Sequence, residues 1–128
     1  MTGYLLDTHV VLWANAAPER LGSATTRLLT DPATAISVSA VSIAEMAIKR
    51  SIGKLTMSVP IDDLRRQLRA DELVLSSAQA QLIEALPMLH RDPFDRLLAA
   101  QAKAENLVLV TAHDRLLAYP ISTLDART

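Results

Sequence analysis

The run Leu107-Val108-Leu109-Val110 decides the fold class of this chain, because it is apolar throughout and bounded by polar residues. A strand that has one face in water alternates apolar with polar residues, whereas a strand buried on both faces is apolar along its length. Residues 107–110 therefore predict a strand in a parallel sheet that helices cover on both sides.

Further strands and helices alternate on the amino-terminal side of this run. Short apolar or alternating segments predict strands at residues 4–6, 35–39 and 73–75, with an edge strand at 121–122. Apolar spacing, caps and breakers predict helices that begin near residues 8, 18, 41, 60, 76 and 93. No linker, repeat or low-complexity tract interrupts the chain. We expect a single domain, residues 1–128, built as an α/β sandwich around a mainly parallel sheet.

Composition narrows the class of protein further. Half of the residues are hydrophobic and there is no cysteine, which fits a reducing compartment. No apolar stretch approaches the roughly 20 residues of a membrane span, and the N-terminus lacks the basic leader of a signal peptide. We therefore expect a soluble, cytoplasmic domain. The net charge of −1 neither requires nor excludes a polyanionic substrate, and it becomes positive if four acids serve as metal ligands.

Four acidic residues are predicted to meet at one edge of the sheet. Asp7 ends the first strand and Asp114 follows the late strand, while Glu45 and Asp95 lie near the starts of two helices. Ligands of an open parallel sheet bind beyond the carboxyl ends of its strands, so a site is expected at this edge.

These acids also have structural interpretations. Asp7 suits the N-cap of the following helix, and Glu45 is spaced for an ordinary ion pair with Lys49. However, the helix around Glu45 is apolar nearly all round, so a buried carboxylate there needs a partner. Asp92, which precedes a proline, is sufficiently explained as an N-cap. Asp95 heads the apolar face of its helix, which favours a functional role.

The polar residues that follow the strand at 107–110, and the three histidines, allow more than one interpretation. Asp114 lies in a turn, where aspartate is common, and the Thr111 hydroxyl stands at a strand end where it can orient a ligand or a water. No metal-ligand spacing links His9, His90 and His113, which predicts ordinary surface or loop histidines. An all-oxygen acid set favours Mg²⁺ or Mn²⁺ over Zn²⁺. Such an ion supports attack by a metal-activated water on a phosphodiester.

Four stretches of the sequence together resemble the PIN-domain family, and most of all its VapC-type toxins. They are LLDTHVVLWA at residues 5–14, ISVSAVSIAEMAIK at 36–49 followed by GKL, HRDPFDRLLAAQA at 90–102, and LVLVTAHD at 107–114. The resemblance implies a PIN-like three-layer α/β/α sandwich and a Mg²⁺- or Mn²⁺-dependent endoribonuclease of a VapBC-type toxin–antitoxin pair. It also implies a homodimer that is inhibited by a VapB-type antitoxin.

The same resemblance implies that the catalytic acids and metal ligands are Asp7, Glu45, Asp95 and Asp114. In similar proteins the late acid often stands two residues after a serine or threonine, whereas Ala112 and His113 separate Thr111 from Asp114 here. This departure predicts a longer turn, in which Asp114 contacts the metal through water.

Basic and hydroxyl side chains supply candidate contacts to an RNA substrate. The candidates are Thr8, Lys49, Arg65, Arg69 and Thr111, with Arg50, Lys54 and Arg66 as further basic residues. A solvated helix face explains each basic residue equally well. Because aromatic residues are few, we expect recognition to depend on RNA shape and phosphates more than on base stacking.

Other classes of protein share parts of this pattern. A haloacid-dehalogenase-type phosphatase needs a second aspartate two residues after the first, where this chain has His9. A receiver-like phospho-acceptor domain needs a lysine at a late strand end, whereas Lys103 lies inside a predicted helix. The alternative that stays open is a non-catalytic PIN-like module that binds RNA or a protein, although the complete acid set favours the enzyme.

Overall fold

A five-stranded parallel sheet forms the centre of the molecule. The computed structural model describes residues 2–128, and its sheet has the strand order β3-β2-β1-β4-β5. The strands are β1 (Gly3–Leu6), β2 (Ala35–Ser39), β3 (Asp71–Leu73), β4 (Val108–Thr111) and β5 (Thr123–Asp125). All four pairings between neighbouring strands are parallel, which confirms the predicted type of sheet.

Helices connect the strands, because consecutive parallel strands must start from the same end of the sheet. The α-helices are α1 (Thr8–Ala16), α2 (Ser23–Thr30), α3 (Ala40–Ser51), α4 (Ile61–Gln67), α5 (Ser77–Gln81), α6 (Pro93–Ala104) and α7 (Asp114–Leu117). Short 3-10 helices lie at Pro18–Arg20 and Leu82–Ala85. Within residues 2–128, no helix is both long and apolar enough to cross a membrane.

The central strand, β1, and its neighbour β4 alternate their side chains between two hydrophobic cores. Leu5 and Leu109 lie in one core with Leu98 of α6, whereas Leu6 and Val110 lie in the other with residues of α1 and α4. All five side chains are fully buried, so the apolar run of β4 does cover both faces of the sheet. A layer of helices on each face makes the three-layer α/β/α sandwich that the sequence predicted.

The two edge strands and one helix differ from the sequence prediction. β3 lies at Asp71–Leu73 rather than 73–75, and β5 at Thr123–Asp125 rather than 121–122. An edge strand pairs through its backbone on one side only, so apolar side chains do not fix its position. The single helix predicted from residue 18 is divided into the 3-10 helix Pro18–Arg20 and α2. Between them the Gly22 N–H donates to the Ala126 carbonyl at 2.9 Å, and a Cβ at Gly22 would lie 2.1 Å from the Thr128 carbonyl.

Several helices begin at the carboxyl edge of the sheet with a polar cap. Asp7 follows β1 and N-caps α1, Ser39 ends β2 and N-caps α3, and His113 follows β4 and N-caps α7. Each of these side chains is therefore positioned both by a strand end and by a helix start. The same edge of the sheet thus carries the polar groups that make up the candidate site.

Candidate metal centre

Asp7 is a buried residue, and both of its carboxylate oxygens accept hydrogen bonds. Its Oδ1 accepts the backbone N–H of Val10 at 2.9 Å, and its Oδ2 accepts the hydroxyl of Thr111 at the end of β4. Only 2% of Asp7 is exposed, and this burial raises its pKa, against the lowering effect of the two hydrogen bonds. The negative charge of Asp95 also raises the pKa of Asp7, which places the two acids near each other. Asp7 is therefore a helix cap, as expected, but also one member of an acid cluster.

Glu45 lies in the middle of α3 and is buried as the apolar helix predicted. Its Oε1 accepts the hydroxyl of Thr8 at 2.7 Å, and its Oε2 lies 2.6 Å from the ammonium of Lys49. The pair with Lys49 is not an ordinary surface contact, because only 3% of the Glu45 side chain is exposed. Thr8 is itself buried and also lies 3.0 Å from the Ser42 hydroxyl, so its hydroxyl positions Glu45 rather than facing outward.

Lys49 is the basic candidate that the fold brings to the acids. Its hydrogen bond to Glu45 raises the pKa of its ammonium, and desolvation opposes this effect. The charges of Asp92 and Asp95 raise the pKa further, so Lys49 lies within the field of several carboxylates. Its side chain remains 38% exposed, which leaves the ammonium accessible from solvent.

Asp95 lies in the first turn of α6, on the buried face that its spacing predicted. Asp92 N-caps this helix by accepting the N–H groups of Phe94 and Asp95, as expected for a structural acid. Asp95 is 8% exposed, and its burial raises its pKa. The charges of Asp92 and Glu45 add to this increase, while the hydrogen bond to His90 opposes it. Asp95 is therefore electrostatically linked to both other buried acids.

Two histidines surround Asp95, which the sequence prediction missed. His90 Nε2 lies 2.7 Å from Asp95 Oδ2, and the His90 and His113 rings are 4.2 Å apart between centroids. Within residues 2–128, potential ligand atoms of His90, Asp95 and His113 all lie within 4.8 Å of one another. The prediction of ordinary loop histidines was wrong for these two, because the fold joins the loop before α6 to the loop after β4. No spacing within the sequence signals such a contact.

Hydrogen bonds hold both histidines in place. The His90 backbone N–H donates to the Tyr119 hydroxyl at 3.2 Å, and His113 Nδ1 accepts the N–H of Arg115 at 3.2 Å. An Nδ1 that accepts a hydrogen bond carries no proton, so Nε2 of His113 is the nitrogen that bears the proton in the neutral ring. Imidazole nitrogens therefore lie beside Asp95, so the expected all-oxygen ligand set does not describe the surroundings of this acid.

Asp114 lies apart from the three buried acids. It is the first residue of α7, its side chain is 83% exposed, and its Oδ1 accepts a hydrogen bond from Arg127 at 2.7 Å. Arg127 also donates to Asp125 at the end of β5, and this hydrogen bond lowers the pKa of Asp125. The structure thus gives Asp114 an exposed position and a surface ion pair with Arg127.

The other proposed basic contacts lie away from the acids. α4 ends at Gln67 and β3 begins at Asp71 in parallel with β2, so Arg69 lies at the amino-terminal edge of the sheet, opposite Asp7. Arg65, in the last turn of α4, donates to the Ala70 carbonyl at 3.0 Å. Contrary to expectation, Arg65 and Arg69 are not brought to the site, because a helix that leads into a parallel strand ends at the opposite edge. Arg66 pairs with acids of its own helix, and Arg50 and Lys54 are exposed.

The three buried carboxylates fit a divalent cation. Burying a carboxylate costs free energy unless a cation or hydrogen-bond donors compensate for the lost water. Lys49 compensates Glu45, but Asp7 and Asp95 have raised pKa values, which indicates that their compensation is incomplete. Carboxylate oxygens of this kind are the ligands that Mg²⁺ and Mn²⁺ prefer. The residues present at this edge of the sheet therefore suit a metal ion in this class.

Comparisons with known proteins agree with this architecture. Residues 4–121 match the family model described as PIN domain. Ribonuclease VapC22 from Mycobacterium tuberculosis (strain ATCC 25618 / H37Rv) is 32% identical over 119 residues, with 91% of each chain covered.

Solved structures share the fold at low sequence identity. VapBC2 from Rickettsia felis, bound to a DNA fragment from its promoter, has a TM-score of 0.67 at 21% identity, covering 94% of this chain and 96% of the other. A toxin-antitoxin complex from Klebsiella pneumoniae has a TM-score of 0.66 at 16% identity, covering 97% and 98%. Taken with the family model and the curated relative, these similarities lead to one conclusion: the chain belongs to the PIN-domain family, among its VapC-type members.

Proposed function

We propose that the chain is a metal-dependent endoribonuclease that acts as the toxin of a VapBC-type toxin–antitoxin pair. The observation that carries this proposal is the burial of three acids, Asp7, Glu45 and Asp95, in a PIN-domain chain, with the charge of Asp95 acting on Asp7 and that of Glu45 acting on Asp95. The relative that is 32% identical is named a ribonuclease, which supports RNA as the substrate class.

Asp7, Glu45 and Asp95 are the residues that would hold the metal ion, with Mg²⁺ as the proposed ion and Mn²⁺ as a substitute. When bound, such an ion activates a water for in-line attack on a phosphodiester and stabilises the charge that develops on phosphate. Asp114 is proposed to contribute through water from its exposed position. A carboxylate binds a metal ion most tightly when neighbouring groups hold it in one orientation.

The neighbouring side chains have positioning roles in this proposal. Thr111 orients Asp7 from the end of β4, and Thr8 orients Glu45 from the first turn of α1. His90 orients Asp95, with its ring held between Asp95 and His113. Lys49 balances the charge of Glu45 and presents a partly exposed ammonium, which suits contact with an RNA phosphate.

The proposed partners follow from the same family. Two similar solved structures are described as a VapBC complex and a toxin-antitoxin complex, which supports a VapB-type antitoxin as the partner of this chain. A homodimer and a cytoplasmic site of action complete the proposal. Co-expression with the product of a short overlapping upstream reading frame, followed by co-purification and size measurement, tests both the antitoxin and the dimer.

Cleavage of RNA by the purified chain tests the function. We expect cleavage in Mg²⁺ or Mn²⁺, loss of cleavage in EDTA, and losses of more than about 100-fold in Asp7→Asn and Asp95→Asn, because metal ligands matter more than the residues that orient them. Asp62→Asn, an exposed acid of α4, serves as the control with unchanged cleavage. RNA binding without cleavage would replace the enzyme with a non-catalytic binding module.

A further inference from the structure

A small cavity opens directly beside the acid cluster. Its volume is about 200 Å³, and the residues that line it are Asp7, His9, Trp13, Ala112 and His113. Asp7 belongs both to this cavity and to the candidate metal centre, so the two are continuous. Pockets for drug-sized ligands usually span roughly 300–1,000 Å³, which makes this cavity suitable for one ring system rather than a larger molecule.

Trp13 is the feature of this cavity that the core does not explain. It is the single tryptophan of the chain and is half-buried, but the described residues that pack against the two hydrophobic cores do not include it. Val10 and Val11 anchor α1 in the core, whereas Trp13 lies on the face of α1 that also carries His9. A large aromatic side chain without a core role at the edge of a site is typical of ligand contact.

Neighbouring side chains hold the Trp13 ring in place. The Arg20 guanidinium lies over the ring at 5.5 Å from its centroid, a cation–π contact that also brings positive charge to this surface. The His9 ring lies 6.5 Å away at an interplanar angle of 56°, so the two rings are tilted and do not stack face to face. Arg20 does not line the cavity, so its contact leaves the part of the Trp13 ring that faces the cavity available to a ligand.

We propose that this cavity binds one nucleobase of single-stranded RNA, stacked on Trp13, next to the phosphate that lies at Asp7. The proposal rests on the ribonuclease function proposed above. Proteins that bind single-stranded RNA stack unpaired bases on aromatic side chains and track the backbone with positive charge, and Trp13 with Arg20 supplies both. The cavity volume of about 200 Å³ suits one base, which favours an unpaired base over a base pair. Recognition therefore includes base stacking, despite the few aromatic residues in the sequence.

The emission of the single tryptophan reports directly on this site. We would titrate the wild-type protein in EDTA, and the Asp95→Asn variant, with a short single-stranded RNA and with an abasic RNA of the same length. We expect the base-bearing RNA to quench or shift Trp13 emission and the abasic RNA to leave it unchanged. An equal change with the abasic RNA would overturn the proposal.

Binding of a labelled RNA to variants provides the second measurement. We expect Trp13→Leu to weaken binding roughly 10-fold and Trp13→Phe, which keeps a ring, by less than about threefold. Ile52→Ala, which also truncates an exposed apolar side chain but outside the cavity, should bind as the wild type does. Unchanged binding by Trp13→Leu would overturn the site.

The two proposals can fail separately in these experiments. RNA cleavage without a base-dependent Trp13 signal would overturn the nucleobase site and leave the ribonuclease intact. A base-dependent signal without cleavage would overturn the ribonuclease and leave a nucleobase-binding site.

Discussion

Substituting Asp95 by Asn removes a buried negative charge and keeps a side-chain oxygen that accepts a hydrogen bond from His90. In the metal-free protein, burial and the charges of Glu45 and Asp92 raise the pKa of Asp95 above its value in the unfolded chain. The ionised carboxylate therefore destabilises the metal-free fold. We expect Asp95→Asn to stabilise the metal-free protein by about 1 kcal/mol, or about 3–5 °C in melting temperature for a chain of this size.

The stabilisation by Asp95→Asn should increase with pH. Below the unfolded pKa of Asp95, the acid is protonated in both states, so wild type and variant should melt alike. As the pH rises from the unfolded pKa through the raised folded pKa, the wild type loses stability relative to the variant. The difference in melting temperature should therefore grow from about pH 4 towards neutral pH and then stay constant. Thermal unfolding in EDTA, followed by circular dichroism across this range, measures it.

Addition of metal should make the wild type melt at a higher temperature than Asp95→Asn, the reverse of the order expected in EDTA. A free metal concentration of 100 times the dissociation constant stabilises the folded state by about 2.7 kcal/mol. The variant should be stabilised much less, because it lacks one proposed ligand. Asp62→Asn is the control, because this exposed acid of α4 lies away from the site and should change stability by less than about 0.5 kcal/mol with or without metal. If Asp95→Asn melts at or below the wild-type temperature in EDTA at neutral pH, the reasoning about an uncompensated buried carboxylate is refuted.

Three further substitutions test the supporting residues. Thr111→Val keeps the shape but removes the hydroxyl that donates to Asp7, and should lower RNA cleavage about 10- to 100-fold without loss of folding; cleavage at the wild-type rate would contradict its positioning role. His90→Ala should lower metal affinity, measured by calorimetry, by about 10- to 100-fold, whereas Met88→Ala, an exposed residue of the same loop, should leave metal affinity unchanged. Gly53→Ala, at φ 75°, should cost about 1–2 kcal/mol in urea unfolding, and Lys54→Ala beside it should not.

The architecture and the burial of Glu45 and Asp95 could be predicted from the sequence because local patterns determine them. The apolar run of β4 indicates burial on both faces, and the proline after Asp92 indicates the start of α6. Glu45 and Asp95 are buried where apolar residues at helical spacing surround them. These are relations among residues a few positions apart, which the sequence shows directly.

The rest of the site depends on contacts between distant segments. His90 and His113 meet only because two loops converge, and Trp13 lies at the site because α1 turns that face towards the loop after β4. Arg65 was a candidate contact to RNA because it is a basic residue, but the direction of α4 places it at the opposite edge of the sheet. The sequence indicates a turn before Asp114, but no local pattern indicates that Arg127 is the partner of this exposed acid.

The measurement that tests the central claim most directly is the source of the oxygen on the RNA ends. Cleavage in Mg²⁺ in water enriched in ¹⁸O should place one solvent oxygen on a linear phosphate end, because a metal-activated water attacks the phosphodiester. The wild type should yield this product and Asp7→Asn should yield almost none. A 2′,3′-cyclic phosphate without solvent oxygen, formed equally by the Asp7→Asn variant, would contradict the account.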